Sequence, residues 1–437
     1  MLVATSRFPA TRVTRVVSGQ DQPPIILSSF RAHFKAHADS LPQMRLPMAA
    51  TRSAGILEIG KARARAGWRV LAVIGNRWLS NMFYRLRILA LLPAALSASP
   101  PPHVDVFRAG DNGYASYRIP ALIVSPKGTL LAFCEGRRNS PSDTGDIDVL
   151  LRRSFDNGKS WQSVQTIADM GEDTVGNPTP VVERKTGAIL LLMTSNPGRV
   201  TESQTGPQDR TVWITRSTDD GKSWSVPSEI TAQVKLSGWT WYATGPGNGI
   251  QLRSGRLVIP CDHNSADGRR FSHVIYSDDR GATWKIGGIA QENTNESAIV
   301  ELEDGELLFN MRSYHGKNRR AVQRSKDGGL TWSRLELDQN LIEPVCQASM
   351  INGPKGQVLF SNPAAATRTR MTVRMSGDGG RTWPVAQVIQ EGPAAYSSLA
   401  MLRGGTIGLL YELGETQPYE RIAFVPLHTR WLQGKSK

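Results

Sequence analysis

Four arginines, three carboxylates and a tyrosine stand apart in this chain of 437 residues by type and by position. They are Arg118, Arg137, Arg312 and Arg368, then Asp143, Glu296 and Glu412, and finally Tyr396. Arginines gathered at one spot repel one another unless an anion sits among them, and guanidinium–carboxylate pairing is strong and directional. Such a set suits a substrate that carries a carboxylate beside its reacting carbon. Asp143 is a candidate general acid if its surroundings are dry enough to raise its pKa. Glu296 and Tyr396 can pair as base and nucleophile. Singly, each has an ordinary reading: an arginine at a strand end is a solvated charge, and a strand tyrosine is core with its hydroxyl capped. Only joint placement gives them a chemical meaning.

That placement depends on the elements, and the elements repeat. An octet of the form Ser-x-Asp-x-Gly-x-Ser/Thr-Trp occurs at Ser154–Trp161, Ser217–Trp224, Ser277–Trp284, Ser325–Trp332 and Ser376–Trp383. Its Asp and Gly are turn chemistry, and its Trp is expected to pin the turn to the unit's own core. Upstream of each octet a turn ending in Gly (Gly128, Gly187, Gly255, Gly305, Gly356), and a sixth at Gly405, separates two short apolar runs. These read as hairpins, each followed by a third strand that enters the octet where one exists. Units of this size repeated at 48–68 residues predict an all-β chain, a six-bladed β-propeller of four-stranded blades with five octet turns. In an up-and-down blade, the start of strand one, the end of strand two and the start of strand three share one end. By that rule the eight residues fall on one face: Arg118, Glu296 and Tyr396 open first strands, Arg312 and Glu412 end second strands, and Arg137, Asp143 and Arg368 border the loops before third strands. Blades converging on an axis would gather them into one cleft.

Composition narrows the function classes. Residues 1–100 hold 14 basic and 3 acidic side chains, +11 of the total +14, leaving +3 for residues 101–437. The repeat region is therefore nearly neutral, and nothing in its charge suggests a nucleic-acid partner. Three widely spaced cysteines and seven scattered histidines show no disulfide framework and no metal-ligand spacing, so no metal or cofactor is implied. Residues 1–81 read as a basic extension or as sequence ahead of the real start. From Met82, Arg85 and Arg87 precede the apolar run Ile88–Ala95 and then Leu96-Ser97-Ala98, the pattern of a signal peptide over 82–98. A secreted or periplasmic protein is the expectation, without stable membrane insertion, since the run is too short to span a bilayer. Residues 99–103 read as a linker, 104–430 as the propeller and 431–437 as a tail.

Tyr117-Arg118-Ile119-Pro120, the five octets and Tyr396-Ser397-Ser398-Leu399 together resemble the bacterial exo-α-sialidase (neuraminidase) family, over roughly residues 104–430. The resemblance implies an Arg triad of Arg118, Arg312 and Arg368 clamping the sialic acid carboxylate, with Arg137 on the 4-hydroxyl side of the sugar. It implies Asp143 as acid/base, Tyr396 as nucleophile, Glu296 as its base and Glu412 as the carboxylate that holds Arg118. Asp146 and Asp148, in the same loop as Asp143, are alternatives for the proton donor. Trp239, Trp241 and Tyr242 are either core or lining of the pocket. The implied partners are sialylated glycans, and the implied reaction is hydrolysis with retention. The alternatives are an octet-bearing propeller that binds glycans or proteins without catalysis, or a trans- or anhydro-sialidase using the same residues.

Overall fold

The structure, a computed structural model, describes residues 101–434. The basic extension and the signal peptide expected at 1–81 and 82–98 lie outside the described residues. Among the described residues, α-helix is confined to two four-residue turns, Thr231–Val234 and Thr429–Leu432, and no helix is long and apolar enough to cross a membrane. The chain is all-β.

Its strands run mostly as antiparallel meanders, because Gly turns join apolar runs too short for anything but hairpins. After β1 (Val104–Arg108), the first meander is β2 (Ser116–Val124), β3 (Leu130–Arg137), β4 (Ile147–Ser154) and β5 (Gln165–Ala168). Next come β6 (Thr174–Val182), β7 (Ile189–Asn196), β8 (Thr211–Ser217) and β9 (Ser228–Glu229), joined to the first by a single parallel pairing, Ile147 with Thr174. In the third, β10 (Trp239–Thr244) and β11 (Ile250–Gln251) both pair with β12 (Leu257–Ser265), followed by β13 (Arg270–Ser277) and β14 (Lys285–Glu292). Then follow β15 (Thr294–Glu301), β16 (Leu307–Ser313), β17 (Arg319–Ser325) and β18 (Glu336–Ile342). β19 (Ser349–Asn352), β20 (Val358–Pro363) and β21 (Thr369–Ser376) lead into the long β22 (Val385–Met401). The first half of β22 pairs with β21 and its second half with β23 (Thr406–Leu413), which pairs with β24 (Arg421–His428). β1 returns to β24, so the start of the described chain completes the sheet made by its end. That strand, Val-Asp-Val-Phe-Arg, stands outside the repeat of hairpin glycines and octets and was not expected.

The octets differ from expectation in what they pack against. Their internal bonding is the turn chemistry foreseen: Ser217 Oγ donates to Asp219 Oδ1 at 2.9 Å and accepts from Gly221 N at 2.9 Å, and Asp219 also takes the backbone N–H and the hydroxyl of Ser223. The Trp does not always serve its own unit. Trp332 stacks on Phe309 and Trp383 lies beside Phe360, each within one meander, but Trp224 meets Phe133 of the preceding meander and Trp161 of the first meander meets Phe424 on β24, near the end of the described chain. The octet glycines show why. Gly158 and Gly221 have φ of 84° and 76°, and a Cβ there would lie 2.1 Å from Phe424 and 2.4 Å from Leu131. The turn is pressed into the neighbouring unit, so only a residue without Cβ fits, and the octet becomes a seam between units.

Candidate active site

Three first strands are irregular at the same relative place. The pairing register shifts between Arg118 and Ala121 in β2, between Thr294 and Ser297 in β15, and between Ala394 and Ser397 in β22. Ile119 adopts a left-handed φ of 61° within the first shift. Such irregularities bend a strand and re-aim the side chains beside them. Arg118, Glu296 and Tyr396 sit at these shifts and line one cavity of about 650 Å³, together with Arg137, Asp143, Arg312 and Arg368. Glu412 on β23 lies fully buried behind it. The topological rule thus brings all eight residues together.

The centre is a compact hydrogen-bonded group. Tyr396 Oη donates to Glu296 Oε1 at 2.5 Å. Arg312 Nη1 donates to Glu296 Oε2 at 2.7 Å and to the Tyr396 oxygen at 3.2 Å. Burial, then the neighbouring Glu296, pushes the Tyr396 phenol well above its ordinary pKa, so the tyrosine is a neutral donor. Glu412 organises the opposite wall. Its Oε1 accepts from Arg118 Nε and from Ile119 N, both at 2.8 Å, and its Oε2 accepts from Tyr396 N at 3.0 Å. One buried carboxylate therefore fixes an arginine and the backbone of the tyrosine. Burial disfavours the Arg118 charge, but Glu412 together with Tyr396, Tyr419 and Asp143 outweighs it and raises the pKa. Removing one partner of a buried pair of this kind costs about 3–5 kcal/mol.

Arg368 precedes β21, its guanidinium 5.5 Å from the centre of the Tyr396 ring. Two residues on, a regular strand would put Arg370 on the same side. Instead Arg370 takes a φ of 62° at a register shift and lies half-exposed, 3.6 Å from Glu391. Arg137 is held by buried Glu135, whose Oε2 accepts from Nε at 3.0 Å and from Nη2 at 2.7 Å.

Asp143 departs from the sequence expectation. Its side chain is 79% exposed, with Oδ1 2.7 Å from Arg137 Nη1 and 3.7 Å from Arg118 Nη1. Desolvation in the cleft works to raise its pKa, but Arg137 and then Arg118 outweigh this and hold the carboxyl below its ordinary value. Two guanidiniums, not a dry pocket, decide its charge. The alternatives in the same loop are engaged elsewhere: Asp146 accepts from Arg138, and buried Asp148 accepts from both Tyr114 and Arg138. Neither lines the cavity.

Comparison with known proteins places the chain in a family. A family profile described as BNR repeat-like domain matches residues 128–409. A sialidase of Bacteroides fragilis is 37% identical over 338 residues, 71% of this chain and 62% of that protein. An exo-alpha-sialidase of Aspergillus fumigatus is 31% identical, over 69% of this chain and 79% of that protein. The chain belongs to the sialidase family. Among solved structures, the Hadza microbial sialidase Hz136 shares the fold at a TM-score of 0.70 and 33% identity, covering 75% of this chain and 68% of that one. The chain spans less than two thirds of the length of the Bacteroides relative.

Several cavity residues of this sialidase-family chain were missed or left open in the sequence. Trp241 lines the cavity over the guanidinium of buried Arg210, whereas Trp239 and Tyr242 are core. Asp262 lines it as well, fully buried and with its pKa raised, first by desolvation and then by Glu296. Glu135 was readable in principle, since it alternates with Arg137 along β3 and shares its side. Tyr419, from the loop before β24, carries no periodic signal at all.

Proposed function

We propose that this chain is an exo-α-sialidase. It hydrolyses terminal, α-ketosidically linked sialic acid from glycoproteins, glycolipids and oligosaccharides, with retention, on a six-bladed β-propeller. The observation that carries the reading is the Tyr396–Glu296–Arg312 group, with Arg118 and Arg368 in the same cavity. Arg118, Arg312 and Arg368 take the substrate carboxylate, and Arg137 faces the 4-hydroxyl side. Asp143 protonates the leaving oxygen while Tyr396, giving its proton to Glu296, attacks the anomeric carbon. Water then attacks the glycosyl–tyrosine bond with Asp143 as base, and the phenol regains its proton from Glu296. A tyrosine nucleophile is one of the known exceptions to the paired-carboxylate scheme of glycosidases. The reason is electrostatic: a carboxylate nucleophile 4 Å from the substrate carboxylate would meet about 4 kcal/mol of repulsion at an effective dielectric of 20. Asp143 acquires its acid role on binding, when the substrate carboxylate offsets Arg118 and the leaving group covers the exposed carboxyl, both raising its pKa. The leader-like 82–98 supports export to the periplasm or medium.

Stereochemistry tests the mechanism. Proton NMR of the first product formed from an aryl sialoside should show the α-anomer, mutarotating later, and Glu296→Gln should lower kcat by about 10²–10⁴. A β-anomer formed first would overturn the retaining mechanism.

A further inference from the structure

The three proposed clamp arginines are not held alike. Arg118 pairs with Glu412 at 2.8 Å and Arg312 with Glu296 at 2.7 Å. Among the described residues Arg368 has no carboxylate within ion-pair reach, and its Nη1 donates instead to the Tyr419 hydroxyl at 2.6 Å. The same tyrosine lies with its ring centre 3.9 Å from the Arg118 guanidinium carbon. One side chain therefore touches two clamp arginines through two different groups, ring and hydroxyl.

The loop that presents Tyr419 braces itself. The Glu420 carboxylate accepts the backbone N–H groups of Glu415, Thr416 and Gln417 at 3.0, 2.9 and 3.1 Å, and the Thr416 hydroxyl at 2.7 Å. Tyr419 N donates to Gln417 Oε1 at 2.8 Å. These bonds fix where the phenol sits without help from the arginines it contacts. We propose that Tyr419 is a positioning residue of the clamp, holding Arg368 beside Arg118 with a partner that leaves the Arg368 charge free for the substrate carboxylate. The inference rests on the sialidase reading of the cavity.

The chemistry favours a phenol in this place. A carboxylate beside Arg368 would neutralise it and repel an incoming anion. A neutral oxygen accepts one N–H and leaves the full positive charge and the remaining donors of the fork. The aromatic face over Arg118 stabilises a cation with little access to water.

Steady-state kinetics on a fluorogenic aryl sialoside tests this, with Tyr419→Phe and Tyr419→Leu made in the full chain and on the Arg368→Ala background. Tyr419→Phe keeps the ring and loses the hydroxyl, so KM should rise by about three- to tenfold, with kcat within about twofold. On the Arg368→Ala background the same change should have almost no effect on KM, because the hydroxyl acts through Arg368. Tyr419→Leu should raise KM on both backgrounds, since the stack on Arg118 is lost as well. A Tyr419→Phe enzyme with unchanged KM, or one whose KM effect persists in full without Arg368, would overturn the inference. Should Tyr419→Leu prove unstable on melting, Tyr419→Phe alone decides. A wild type that releases no sialic acid would remove the sialidase reading instead. A normal wild type and an impaired Arg368→Ala beside an unchanged Tyr419→Phe would strike Tyr419 only.

Discussion

At the residue scale, the proposed mechanism assigns Asp143 a role that matters in proportion to how poor the leaving group is. Asp143→Ala should lose about 10²–10⁴ in kcat on a natural sialoside and much less on one with an activated aryl leaving group. Initial rates on the two substrates check this, and equal losses would move the acid elsewhere. What the sequence made legible at this scale was joint placement, since strand-end positions picked out residues that line one cavity. Arginines suit an anion, and a glutamate with a tyrosine suits proton transfer and attack. Sign and strength of pKa shifts were not legible. Asp143 sits below its ordinary value because Arg137 and Arg118 face it, and the contact with Arg118, twenty-five positions upstream on another strand, cannot be seen in the Asn139–Asp148 loop itself.

At the element scale, the third meander holds a charge arrangement that pH should expose. His263 on β12 and His273 on β13, diagonal neighbours across the strand pair, have their Nδ1 atoms 3.1 Å apart, with His273 Nε2 3.2 Å from the Tyr242 hydroxyl. His263 is stacked between Trp239 and Phe271. Burial lowers both pKa values, that of His263 to about 3. The unfolded chain therefore binds protons near pH 6.5 that the folded chain refuses. For each imidazole this stabilisation is full above about pH 6.5 and is lost as pH falls, by about 1.4 kcal/mol per pH unit. Asp262 opposes it, since its raised pKa gives a contribution that is lost as pH rises from about 4. Comparing wild type with His263→Phe cancels Asp262. Urea unfolding between pH 6 and 4 should show the wild type losing about 1.4 kcal/mol per unit more than the variant, and parallel slopes would mean that this imidazole is charged in the folded state. The sequence showed these histidines only as scattered, because the pair forms by cross-strand register and not by spacing along the chain.

At the scale of the whole molecule, the repeat was legible and the strand pairing that joins the two ends of the described chain was not. Hairpin glycines and octets announce a series of similar units, yet nothing local says that β1 pairs with β24 or that an octet presses into the preceding unit. Those are contacts between distant parts of the chain, decided by how units meet. They carry a prediction. A chain starting at Pro101 should keep the fold and the activity of the full chain. One starting at Asp111 loses β1, and with it the buried Val106 and Phe107. It should be destabilised by about 3–6 kcal/mol from their lost burial alone, read as a lower melting temperature, and should leave the edge of β24 open to association. Equal melting temperatures for the two would mean that β1 adds nothing to stability.

The central claim is that the cavity recognises and turns over a substrate through its carboxylate, and one comparison tests it most directly: initial rates on a fluorogenic sialoside and on its methyl ester, with wild type, Arg118→Ala, Arg312→Ala and Arg368→Ala. The wild type should turn over the acid at least ten- to a hundredfold better than the ester, from the loss of about 1.5–3 kcal/mol per charge-assisted bond. Each arginine variant should lose a similar factor on the acid and far less on the ester, since the ester has already lost the interaction. An ester hydrolysed as fast as the acid by the wild type would contradict the anion clamp, and with it the proposed sialidase activity.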